Sequence, residues 1–100
     1  MEVRIQSLNF DATAKLHSFI EKKVQKLERF YEGIAQVEVV LKVVKPETLN
    51  NKEAGIKVKP SSGGEFYASK ICDSFEEAVD ESLEALERQL VKYKEKQKKI

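Results

Sequence analysis

The chain has no tryptophan, one cysteine, one methionine, one histidine, two prolines and four glycines in 100 residues. Cys72 has no second cysteine to pair with, so disulfide-stapled and cysteine-zinc classes are excluded, and a reducing compartment is the simplest setting. Nowhere do ~18 apolar residues run together, which excludes a membrane-spanning helix. The opening MEVRIQSLNF alternates polar and apolar residues and lacks the apolar core of a signal peptide, so the expected location is cytoplasmic, with no membrane partner. An excess of one charge is missing too: 18 Lys+Arg stand against 17 Asp+Glu, a formal net charge of +1. A balanced total of this kind speaks, at first, against a nucleic-acid partner.

What is present fits one domain over 1–100. The chain is 41% hydrophobic, near the globular average, and 35% charged, and its length leaves room for one core and little for a deep catalytic cavity. The neutrality is a cancellation by position. Residues 1–72 carry 12 bases and 9 acids, residues 73–87 carry seven acids and no base, and residues 88–100 carry six bases against Glu95. The local sums are +3, −7 and +5. Segregated charge gives the molecule a field that its total conceals.

Apolar periodicity orders the elements. Val3 and Ile5 alternate with Glu2, Arg4 and Gln6, predicting a strand over 2–7. Asp11 and Thr13 offer caps to a helix whose face is Leu16, Phe19, Ile20, Val24, Leu27, Phe30 and Tyr31, with Gly33 as its end. The Val-rich run 36–45 reads as a strand with Val37, Val39, Leu41 and Val43 on one side. A polar loop over 46–51 follows. Residues 53–59 and 65–71 read as further strands around the turn segment PSSGG, which implies an antiparallel meander. Asp73 or Ser74 can cap a second helix with the face Phe75, Ala78, Val79, Leu83, Leu86, Leu90 and Tyr93, fraying into a basic tail over 94–100. Its acids lie early and its bases late, which suits the helix dipole. The class is α+β, a two-layer β-α-β-β-β-α sandwich with two helices on one face of a four-stranded sheet.

At about 100° per residue, Lys15, Lys22, Lys26 and Arg29 fall within an arc of roughly 60°. No acid lies in that arc. A solvated helix face explains such a row by itself, as solubility and the helix dipole explain the run Arg88, Lys92, Lys94, Lys96, Lys98 and Lys99. Two basic elements in one small sandwich say more than either, because antiparallel neighbouring helices could place both on one surface and neutralise several phosphates together.

Catalytic sets are missing. His17 has no second ligand at metal spacing, and Cys72 reads as a small buried hydrophobe although a helix N-terminus follows it. Gly63-Gly64 is a turn pair without a phosphate-binding pattern. Asp73, Glu76, Glu77 and Asp80 could meet a divalent cation, but read better as the acidic first turns of a helix. The expectation is no enzyme, no cofactor and no metal.

The stretch Thr13 to Tyr31, ending in Lys-Leu-Glu-Arg-Phe-Tyr at 26–31, then Val37 to Val43, Gly64 to Ser69, Ala78 to Asp80 and Leu86-Glu-Arg-Gln-Leu-Val-Lys-Tyr-Lys94, resembles the ribosome hibernation-promoting factor family, also called ribosome-associated inhibitor or protein Y. The likeness covers nearly the whole chain. It implies a fold like that of double-stranded RNA-binding domains, and a partner in the small ribosomal subunit and its rRNA, in the channel where mRNA and tRNAs would lie. Inhibition would be steric occupancy that holds idle ribosomes inactive during stress or stationary phase. By resemblance Lys22, Lys23, Lys26, Arg29, Arg88, Lys92 and Lys94 are the phosphate-contacting candidates, joined by Lys15 from the helical row. A chain stopping at Ile100 looks like the family's short form, without the domain that pairs two ribosomes. Asp73-Ser74-Phe75-Glu76 and Ala85 depart from the family's usual pattern, which shifts the basic contribution of the second helix toward Lys92–Lys99. DNA and small-molecule substrates are not expected as partners, and the free protein should be monomeric. The alternative is a small α/β protein-interaction module that docks a basic partner on the acidic face of the second helix.

Overall fold

A computed structural model describes residues 1–8, 10–45 and 49–98, the last three as backbone only. The elements are β1 (Glu2–Leu8), α1 (Ala14–Gln25), a 3-10 turn (Lys26–Arg29), β2 (Ile34–Val43), β3 (Lys52–Pro60), β4 (Phe66–Cys72) and α2 (Phe75–Lys98). The sheet order is β1-β2-β3-β4. β1 pairs parallel to β2, with Ile5 opposite Val39, because α1 carries the chain back before β2 begins. β2, β3 and β4 form the expected antiparallel meander.

Period-two alternation decides which face is covered. Val37, Val39 and Leu41 of β2 and Ala54, Ile56 and Val58 of β3 are buried, while Glu38, Val40, Lys42, Lys57 and Lys59 on the other face are at least partly open; Gly55, on that face, is covered by the Tyr67 ring. Against them lie Leu16, Ile20 and Val24 of α1 and Ala78, Val79, Leu83, Leu86 and Leu90 of α2. Each large aliphatic side chain fully buried here contributes roughly 1.5–3 kcal/mol. Ser82 is fully buried in this core and donates its hydroxyl to the Ala54 carbonyl at 3.0 Å, which ties α2 to β3.

Local chemistry sets the ends. Thr13, not Asp11, caps α1, its hydroxyl accepting from the Leu16 amide at 3.1 Å. Ser74 accepts from the Glu77 amide at 3.2 Å, while Asp73 turns back to accept from the Asn50 amide at 2.7 Å. The first helix does not stay α-helical to Gly33. It tightens at Lys26, whose amide bonds to the Lys23 carbonyl three residues back, and closes where the Phe30 and Tyr31 amides share the Leu27 carbonyl. Gly33 then takes φ +85°, and its carbonyl accepts from both the amide and the hydroxyl of Ser61.

The helices are parallel, not antiparallel. α2 follows β4 by a sharp reversal, β4 runs the same way as β2 and β1, and α1 reverses from β1, so both helices point one way. Their neighbours rise together in number: Lys23 meets Asp80, and Tyr31 meets Tyr93. α2 is a single helix through Lys98, beyond residue 94 where a basic tail was expected to begin; residues 99 and 100, Lys99 included, lie outside the described residues. The same holds for residues 46–48 of the polar loop. No helix among the described residues is long and apolar enough to cross a membrane.

Candidate nucleic-acid interface

Parallel helices bring both cationic C-terminal halves to one end of the molecule. α1 with its 3-10 turn covers 16 residues, whereas α2 covers 24 and measures about 36 Å, so its last turns project beyond its neighbour. An aromatic group supports the base of this projection. Tyr93 packs edge-on to Phe66 at 5.1 Å and tilted to Tyr31 at 5.7 Å, while the Tyr31 hydroxyl meets Ser62 Oγ at 3.3 Å.

The structure divides the eight cations singled out from the sequence. Lys22, Lys26 and Arg29 are exposed and line one open cleft of about 450 Å³ with Met1, Val3, Gln25 and Glu28. In the 3-10 turn, side chains three apart eclipse, so Lys26 and Arg29 stand over one another more directly than on an α-helix. Lys15 shares their face but lies nearly two turns earlier, toward the acidic end. Lys23 is not free. Its ammonium pairs with Asp80 at 3.3 Å and sits 5.4 Å above the Phe19 ring, bridging α1 to α2. Arg88 is exposed but directs Nε at the Glu84 carbonyl, 3.4 Å away. Lys92 and Lys94 stand exposed on the projecting turns. Lys22, Lys26 and Arg29 therefore form the assembled set, with Lys92 and Lys94 as outlying cations at the same end.

The acids are dispersed. Asp73 is engaged by Asn50, Asp80 by Lys23, and Glu77 lies instead near Cys72 and Glu81, so the Asp73, Glu76, Glu77, Asp80 set is not brought together. Cys72 Sγ and carboxylate oxygens of Glu77 and Glu81 lie within 4.8 Å of one another. Sγ donates to Glu81 at 2.7 Å, and burial, then that bond, push the thiol up to about 12. A protonated thiol is a hydrogen-bond donor and not a metal ligand or nucleophile at neutral pH, so the group closes the junction of β4 with α2. Helix α2 also supplies Glu84 and Glu87 to a groove beside Lys23 and Lys26, a feature that the linear charge count did not locate.

Residues 3–98 match the model of a family described as sigma 54 modulation protein / S30EA ribosomal protein. The chain belongs to that family. Within it, the chain is 37% identical over 98 residues to the ribosome hibernation promoting factor of Escherichia coli K12, covering 98% of each protein. It is equally identical to the factor of that name from Azotobacter vinelandii, across 97% of this chain and 86% of that one. The S30EA-type fold recurs in a ribosomal subunit interface protein from Coxiella burnetii, at TM-score 0.83 and 24% identity over 94% of this chain and 98% of that one. It recurs in the N-terminal domain of Thermus thermophilus Protein Y, at TM-score 0.79 and 23% identity over 93% and 99%. The fold class read from periodicity and the family read from ordered segments both hold.

Proposed function

We propose that this protein is a ribosome-associated translation inhibitor that binds small-subunit rRNA in the mRNA and tRNA channel and keeps idle ribosomes inactive. The observation that carries the reading is the end-to-end correspondence with proteins called ribosome hibernation promoting factor. The geometry is compatible with it. Lys22, Lys26 and Arg29 offer three exposed cations along one outer face, none of them in an ion pair among the described contacts, at the end where α2 adds Lys92 and Lys94. Long cationic side chains on a rigid helix face suit phosphate contacts, which position a protein without reading base sequence. RNA of fixed shape can be recognised in this way.

The mode of action is occupancy. A wedge of helix and sheet excludes mRNA or tRNA from a channel by filling it. Because ribosomes are the target, the place of action is the cytoplasm.

The test is competition. Purified protein, added to small subunits, should prevent loading of a labelled mRNA and initiator tRNA and should stop cell-free translation in proportion to its occupancy. Prior loading with mRNA and tRNA should in turn block the protein. Simultaneous binding of all components, with translation unaffected at saturating protein, would overturn the reading.

A further inference from the structure

β4 closes the sheet on the side away from β1, and its outer edge has no neighbouring strand. The bonding pattern tells which of its backbone groups are free. The Val44 amide donates to the Asn51 carbonyl at 2.8 Å, so odd-numbered residues along β3 turn to β2 and even-numbered ones to β4. Phe66, Ala68 and Lys70 are thereby bonded to β3, while Tyr67, Ser69 and Ile71 present their amides and carbonyls outward. Gln89 Nε2 of α2, which donates to the Tyr67 carbonyl at 3.2 Å, marks the same direction. Native edges are blunted by charge, proline or a bulge; β4 pairs without a register shift and carries a single charge, Lys70. Its outward residues bring Tyr67 and Ile71, 56% and 50% exposed, to the sheet face that no helix covers.

The edge is complementary to itself. Two copies of β4 laid antiparallel about a two-fold axis at Ser69 put Tyr67 of each opposite Ile71 of the other and Ser69 opposite Ser69, each pair exchanging both backbone bonds. Lys70 then stands opposite Ala68, not opposite itself. The helices agree with this axis. Ser82 reaches the Ala54 carbonyl on β3 and Gln89 the Tyr67 carbonyl on β4, so α2 runs over the seam between these strands. A second α2 placed by the same axis lies two strand spacings away, about 9.5 Å, within the range of roughly 8–10 Å at which helices pack. Cys72 is level with Glu77 and Glu81, and Tyr67 with Gln89, so the axis passes near Ala85, a small half-buried side chain. Antiparallel copies of α2 set the acidic first half of each beside the basic second half of the other. Glu77 and Glu81 of one copy face Lys92 and Arg88 of the second; these four are exposed, and none is in an ion pair among the described contacts.

We infer that β4 is a self-association edge: two copies of this chain join β4 to β4 in one continuous sheet, with the two α2 helices packed antiparallel across the axis. The partner is a second copy because strand register, helix spacing and charge order are satisfied together by one two-fold operation. The free protein is then a dimer, where the sequence alone suggests a monomer. Lys22, Lys26 and Arg29 lie on α1 and its 3-10 turn, outside the joint, so the inference goes beyond the proposed function and does not rest on it.

The experiment is sedimentation equilibrium of the full chain up to millimolar concentration, with hydrogen exchange of the backbone amides over the same range. The mass should rise toward that of two chains. Protection should grow at Tyr67, Ser69 and Ile71 but not at Phe66, Ala68 and Lys70, which β3 already holds. Ser69→Pro removes a donor at the axis that β3 does not use, and should weaken association at least about fivefold; Ile71→Lys should weaken it without altering the backbone. Lys92→Glu and Glu77→Lys should each self-associate about two- to fivefold less. Mixed together they should associate with one another, since the contacts between positions 77 and 92 across the axis then join opposite charges. Circular dichroism should show all four variants folded. A mass of one chain at every concentration, a dimer indifferent to both Ser69→Pro and Ile71→Lys, or protection that grows elsewhere would each overturn the assignment, as would edge amides protected only by an added strand-forming peptide. Loss of small-subunit binding by the wild-type chain would instead count against the proposed function alone.

Discussion

Replacing Lys22, Lys26 and Arg29 together by glutamine tests the division of the cations in magnitude as well as sign. All three are exposed, and none forms an ion pair among the described contacts, so the fold should lose little. If each neutralises one phosphate, each contributes about 0.7 to 0.9 to the slope of log affinity against log salt. Removing three should flatten that slope by about 2 to 3. Between 50 and 200 mM salt, a fourfold change, wild-type affinity should therefore fall about 20- to 40-fold more than that of the triple variant. Lys23→Gln is the internal control. Its ammonium is already held by Asp80 and the Phe19 ring, so its removal should change the slope by much less than one unit. The assay is fluorescence anisotropy of the labelled protein titrated with small subunits at several salt concentrations, with circular dichroism and thermal melting on each variant. Equal slopes for the wild type and the triple variant, or a full unit lost on replacing Lys23 alone, would refute the assignment.

Asp80→Asn should free Lys23 and steepen the salt dependence by up to about one unit, read in the same anisotropy assay. Ser82→Ala leaves the Ala54 carbonyl without its side-chain donor at a fully buried position, and should cost about 1–2 kcal/mol in urea unfolding. The Cys72 thiol has its pKa raised from 9.0 to about 12 in the fold, so the folded chain holds a proton that the unfolded chain releases between those values. Its contribution to stability is complete below about pH 9 and disappears as pH rises toward 12; the stability difference between wild type and Cys72→Ala should shrink over that interval, and folded protein at pH 8 should react slowly with a thiol reagent. Glu87 is shifted upward, so its ionisation opposes folding as pH rises through the carboxylate range, and Glu87→Gln should leave the melting temperature at pH 7 unchanged or higher.

Most of the fold was legible because its signals are local. Val37, Val39 and Leu41 alternate at a period that only a one-sided strand satisfies, and Leu83, Leu86 and Leu90 recur at a period that only a helix face satisfies. Helix direction was not local. It depends on the number of chain reversals between β1 and α2, and the parallel pairing of β1 with β2 makes both helices point the same way. The site was legible to the extent that it is a row on one helix: Lys22, Lys26 and Arg29 stayed together. Lys23 did not join them, because its partner Asp80 is 57 positions away in the chain and became visible only when α1 lay beside α2. The 3-10 turn was hidden for a different reason: the apolar spacing of Leu27 and Phe30 is compatible with either helix type.

We propose that this chain acts on ribosomes through salt-sensitive contacts from one end of a two-layer sandwich. Sedimentation of ribosomes through sucrose gradients at low and high salt, with the protein followed by immunoblot in extracts of growing and starved cells, tests it most directly. The protein should travel with small subunits or whole ribosomes at low salt, more so after starvation, and return to the top of the gradient at high salt. A protein that stays at the top at low salt in starved cells would contradict it.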